Sequence, residues 1–129
     1  MSHFKKLFES TKTIAVVGLS NNPERASYRV SAYMLNQGYQ IIPVNPFADE
    51  ILGQKVFAQL SEIPFKIDLV NVFRTAQDCP AITQESVAIG AKSIWIQLGI
   101  ISPESELIAR NAGLEFVMDR CLKIEHQQL

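Results

Sequence analysis

Long hydrophobic runs, an excess of charge and interior histidines are all missing from this chain of 129 residues. No window approaches the roughly 18 apolar residues that cross a bilayer, and the opening Met-Ser-His-Phe-Lys-Lys-Leu-Phe-Glu lacks the apolar core of a secretory leader. The expected location is cytoplasmic, away from membranes. A net charge of −1 gives no global field to draw in nucleic acid or anionic lipid, so a bound phosphate must be held by local groups. The two cysteines, Cys79 and Cys121, are too few and too far apart for a disulfide framework or a zinc site, and reduced thiols are expected. His3 and His126 lie near the chain ends, which leaves a Ser or Cys nucleophile without an evident interior base. Metal-ligand spacing is absent, and the acids Glu104 and Glu106 fall on what reads as a solvated helical turn.

What remains is 47% hydrophobic and 19% charged, the composition of one soluble globular domain. Its most informative stretch is Thr13 to Val30. Five uncharged residues run into Gly18, a polar loop follows, and helical spacing resumes at Ala26: buried strand, tight turn, helix. A helix that starts there directs free backbone N–H groups and the positive end of its dipole at the carboxyl edge of the strand. That arrangement favours an anion, commonly a phosphate.

The rest of the chain repeats the alternation. Phe4, Leu7 and Phe8 predict a short amphipathic helix before the first strand. The first long helix, with Val30, Tyr33, Met34 and Gln37 on one side, stops at Gly38. Strands are expected at Gln40–Val44, Ile67–Phe73, Ser93–Gln97 and Leu114–Met118. Between them, Asp78 is expected to cap a helix that Gly90 ends, and Ser102-Pro103-Glu104 opens another that Asn111-Ala112-Gly113 closes. Residues 51–65 give no clear pattern, and residues 119–129 read as a charged tail. Such alternation predicts an α/β fold: a three-layer, doubly wound domain around a parallel five-stranded sheet.

Ligands of doubly wound sheets lie beyond the carboxyl ends of the strands, where strand order reverses. The unusual residues collect there: Gly18 and Ser20 after the first strand, Val44-Asn45-Pro46 at the end of the second, Phe73-Arg74 after the third, Gln97 and Gly99 after the fourth, Cys121 after the fifth. Gly18 reads either as a close approach to pyrophosphate or as a turn glycine. Ser20, Asn21 and Ser27 read as phosphate donors or as helix caps. Arg25 opposes the helix dipole, which a bound phosphate would justify; otherwise it is a solvated arginine. Arg74 has a similar claim, in competition with an ion pair to Asp78. Trp95 reads as core, with an indole N–H at the ligand-facing edge. The dinucleotide fingerprint fails, since its glycine places hold Gly18, Ser20 and Pro23 and no acid ends the second strand. No Gly-Lys-Ser/Thr of a P-loop follows the first glycine.

Gly18-x-Ser20, Pro23-x-Arg25-x-Ser27-Tyr28, Pro43-Val44-Asn45-Pro46, Phe73-Arg74, Trp95-Ile96-Gln97-x-Gly99 and Asp119-Arg120-Cys121 together resemble the small stand-alone CoA-binding domain proteins. That family is similar to the Rossmann-like CoA-binding domain of succinyl-CoA synthetase alpha subunits. The resemblance implies coenzyme A or an acyl-CoA as ligand, with phosphates near Ser20 to Arg25, the adenosine end near Asn45-Pro46, and pantetheine passing Phe73-Arg74 and Trp95-Gln97. It implies a binding protein without catalysis of its own. The rival expectations are a small NAD(P)- or CoA-thiol-dependent oxidoreductase using Cys121, and a regulatory subunit of an acyl-CoA enzyme, with a protein partner or a homo-oligomer. Relatives carry a basic residue after Pro-Val-Asn-Pro where this chain has Phe47. Lys55 or Arg74 are the cations left to meet the 3′-phosphate.

Overall fold

Buried apolar strands joined by helical crossovers have one economical solution, a parallel sheet with both faces covered, and the computed structural model of the chain, which describes residues 3–129, adopts it. Strands β1 (Thr13–Val17), β2 (Gln40–Val44), β5 (Leu69–Val72), β6 (Ser93–Ile96) and β7 (Glu115–Val117) form a sheet of order β2-β1-β5-β6-β7. All its pairings are parallel, with Val17 opposite Val44 on one side and Val72 on the other.

Helices α1 (Lys5–Glu9), α2 (Ala26–Asn36) and α5 (Leu122–Gln127) cover one face through Leu7, Phe8, Val30, Met34 and Leu122. Helices α3 (Cys79–Ala88) and α4 (Pro103–Asn111) cover the other through Cys79 and Ala109. The chain therefore leaves β1 toward one face and β5 toward the opposite one. A crevice opens between the carboxyl ends of these two neighbours. No helix among the described residues is long and apolar enough to cross a membrane.

The expected strands are trimmed where partners run out. Phe73 and Gln97 still donate backbone bonds, to Val17 and Val72, but lie just past the paired ladder, and edge strand β7 keeps three residues. Pro43 sits in the other edge strand, β2, where its missing N–H costs no ladder bond. Residues 50–65, of which 51–65 carried no period, hold the hairpin β3 (Glu50–Ile51) and β4 (Gln54–Lys55) and a 3-10 turn at Leu60–Glu62. Leu52 and Gly53 bend the hairpin with φ of 55° and 71°, the left-handed pair of a tight turn.

Two expectations are corrected. The tail contains α5, held against α2 by a 2.7 Å hydrogen bond between the Tyr33 hydroxyl and His126 Nδ1. Burial among aromatic rings pushes the His126 imidazole below its ordinary pKa. Asp78 precedes α3 but does not cap it: its carboxylate is taken by Arg74 at 2.9 Å and by the Thr75 hydroxyl at 3.2 Å. Ser102 does cap α4, accepting from the Ser105 N–H at 3.3 Å.

Candidate functional site

Gly18 sets the crevice. Its φ of 86° lies in the left-handed region, and a Cβ built on it would stand 2.7 Å from the Phe73 carbonyl oxygen. The absent side chain thus lets β1 and β5 exit side by side. The close approach that the sequence suggested is to the protein's own backbone, which alone accounts for the glycine.

From Gly18 the loop winds itself with short polar side chains. The Ser20 N–H donates to Ser27 Oγ at 3.0 Å, and Ser20 Oγ accepts from the Asn22 N–H at 3.0 Å. Asn22 Oδ1 in turn accepts from the Glu24 N–H at 3.0 Å, local bonding typical of serine and asparagine in turns. This delivers the chain to α2 with Arg25 as the residue before its first turn and no side chain capping it. The Ala26 and Ser27 N–H groups donate to no other described residue, so the positive end of α2 faces the crevice with open donors. The Arg25 guanidinium is exposed and has no ion pair among the described residues.

Three connected hollows run along this rim. A central one of about 260 Å³ is bounded by Gly18, Ser20, Arg25, Ala26, Ser27 and Phe73. On the β2 side a cleft of about 690 Å³ takes in Asn21, Val44, Asn45, Pro46, Phe47 and Arg74 together with Leu60 and Ile82. On the β6 side a pocket of about 490 Å³ lies between α2 and α5, lined by Phe73, Gln97 and Cys121 with Val30, Ile100 and Ile124. The central hollow shares Arg25 with the first and Phe73 with the second.

Most of the residues singled out from the sequence come together on these walls; Trp95 and Gly99 do not. Trp95 is fully buried, and its indole N–H donates to the Arg120 carbonyl at 2.8 Å, so it is a core residue with its polar handle already used. The Gly99 N–H is held by the Asp119 carboxylate at 2.8 Å. Asn45 reaches the rim but spends its amide on the protein, donating to the Leu19 carbonyl at 2.9 Å and accepting from the Phe47 N–H at 2.8 Å. Arg74 lines the β2-side cleft inside its ion pair with Asp78. Lys55 stands 5.1 Å from the Phe57 ring centre and lines none of the three hollows. Phe47 projects at 91% exposure beside the cleft.

Sequence reading missed the contributions of α3, the 3-10 turn and α5 to these walls. Ile82, Leu60 and Ile124 are single apolar residues in segments without a readable ligand signal. Only the spacing of Leu122 and His126 hinted that the tail was helical. Among the described residues no group of three or more acids, histidines or cysteines is placed to hold a metal.

A doubly wound α/β domain with a crevice at its switch point has the architecture in which nucleotide and coenzyme ligands are commonly held. Residues 12–127 match the CoA binding domain family, and the chain belongs to that family. The uncharacterized protein YneT of Bacillus subtilis (strain 168) is 41% identical over 125 residues, 97% of this chain and 93% of that protein. A hypothetical protein from Pyrococcus horikoshii OT3 has the same fold at a TM-score of 0.95 and 35% identity, over 98% of this chain and 89% of that one. The acetate–CoA ligase (ADP-forming) II of Archaeoglobus fulgidus is 29% identical over 97 residues, covering 74% of this chain but 14% of the ligase.

Proposed function

We propose that this protein binds coenzyme A or an acyl-CoA across the carboxyl ends of β1, β2, β5 and β6, as a binding protein without chemistry of its own. The observation that carries the reading is the unsatisfied positive polarity at the switch point. Two free N–H groups of α2 and the unpaired Arg25 guanidinium converge on one hollow, where a pyrophosphate would complete them. In this reading Ser20 and Ser27 flank the phosphates, and the adenosine end lies toward Asn45, Pro46 and Phe47. The 3′-phosphate meets no ready cation, because Arg74 is committed to Asp78 and Lys55 to the Phe57 ring. Affinity is therefore expected to be modest and to fall with salt.

Belonging to the CoA-binding domain family supports the ligand class. The likeness to one segment of an acetate–CoA ligase supports the carrier but not the ligase reaction, which is a property of a far longer protein. Isothermal titration of the purified chain with coenzyme A at moderate salt tests the reading. Saturable heat is expected; none at near-millimolar ligand would dispose of it. Native mass spectrometry of freshly purified protein checks the same point through a co-purifying mass equal to coenzyme A or a thioester of it.

A further inference from the structure

The pocket between α2 and α5 holds a donor that nothing in the fold uses. Gln97 is 5% exposed at the end of β6, and its orientation is set by backbone groups whose roles are unambiguous. The Leu122 N–H can only donate, so the Gln97 atom 3.4 Å from it is the oxygen, Oε1. Asn71, fully buried on β5, donates through Nδ2 to the Trp95 carbonyl at 3.2 Å, and the same nitrogen lies 3.4 Å from Gln97 Oε1. Both neighbours thus claim the oxygen. The Nε2 hydrogens meet no acceptor among the described residues and are what Gln97 presents to the cavity it lines. Gln97 Nε2 opens onto the cavity rather than being sealed in without a partner, so it is available to an acceptor on a ligand.

The surroundings narrow what arrives. The walls beyond Gln97 are apolar, formed by Val30, Phe73, Ile100 and Ile124, and the volume of about 490 Å³ is of small-molecule size. Two cations share the lining, Arg29 and Lys123. Arg29 donates to the Glu24 carbonyl, and Lys123 lies 5.6 Å from the Tyr33 ring centre. Neither is paired with an acid among the described residues, so both keep their charge.

We propose that this pocket seats the acyl group of a coenzyme A thioester. The Gln97 Nε2–H donates to the thioester carbonyl oxygen, a short aliphatic chain lies between α2 and α5, and Asn71 is the positioning residue that holds the Gln97 oxygen away. The inference rests on the coenzyme A reading of the rim and adds to it the class of cargo: short acyl groups rather than free coenzyme A.

Isothermal titration of the full chain with coenzyme A and butanoyl-CoA in one buffer tests it. Butanoyl-CoA is expected to bind at least tenfold more tightly than coenzyme A, since each buried methylene contributes about fourfold. Gln97→Glu keeps acceptors for Leu122 and Asn71 but replaces the donor with a carboxylate oxygen, and it should bring the butanoyl-CoA to coenzyme A preference close to one. Equal affinity of the unaltered protein for coenzyme A and butanoyl-CoA overturns the acyl seat and leaves the carrier reading standing. A preference unchanged in Gln97→Glu overturns the role of Gln97, and no heat with either ligand overturns both readings.

Discussion

The two ends of the sheet are treated in opposite ways. At the amino end the buried carboxylate is answered from within the chain. Asp68, nine-tenths buried, accepts from the Lys12 N–H at 2.8 Å and the Thr13 N–H at 3.2 Å, with the Lys92 ammonium at 3.6 Å. Burial alone would push its carboxyl up, but these N–H groups, Lys92 and the Thr13 hydroxyl outweigh it and hold the carboxyl below the usual range. At the carboxyl end the Ala26 and Ser27 N–H groups, Arg25 and the Gln97 amide nitrogen are left open. A fold able to satisfy its polar groups this well at one end has no structural need to leave them open at the other. The contrast supports the proposed ligand site at the carboxyl end.

Removing the internal answer should hurt the fold and spare the ligand. Asp68→Ala strands two N–H groups and a lysine, and is expected to lower the unfolding free energy by about 2–4 kcal/mol. Urea unfolding measures the loss, and titration of the remaining folded protein should give the original coenzyme A affinity. Arg25→Ala should do the reverse. Stability stays within about 0.5 kcal/mol, as for an exposed residue without a partner, while binding weakens by about 1.5–3 kcal/mol. An unchanged dissociation constant would remove Arg25 from the site.

The smallest effect is in the pH dependence. A carboxyl whose folded pKa lies below its unfolded value of about 3.9 contributes stability that is complete above that value and drains away as pH falls through the folded one. Unfolding followed from about pH 5 to pH 3 should therefore steepen in the unaltered protein and flatten in Asp68→Asn. Parallel curves would show that Asp68 does not anchor the amino end electrostatically.

Much of the fold was readable because its signals are local. Thr13–Val17 and Gln40–Val44 carry the composition of buried strands, and both emerge with those limits. Gly38, Gly90 and Gly113 stop helices where a left-handed residue is needed, with φ between 77° and 99°. The hairpin at residues 50–55 was hidden because two-residue strands have no period to detect. Helix α5 was hidden because its apolar side is a single turn wide.

The candidate site divides along the same line. That Arg25, Ser27, Phe73 and Gln97 stand at strand exits or the following helix start follows from the order of residues, since the period of each segment dictates where it ends. Whether a group at such an exit is still free depends on partners tens of residues away. Trp95 is closed by Arg120, Asn45 by Leu19 and Gly99 by Asp119, whereas Arg25 and the Gln97 nitrogen are closed by none of the described residues. Local conformational preference is written in neighbouring residues; hydrogen-bond satisfaction is a pairwise property of the packed chain, and only the assembled sheet decided which of these polar groups remained available.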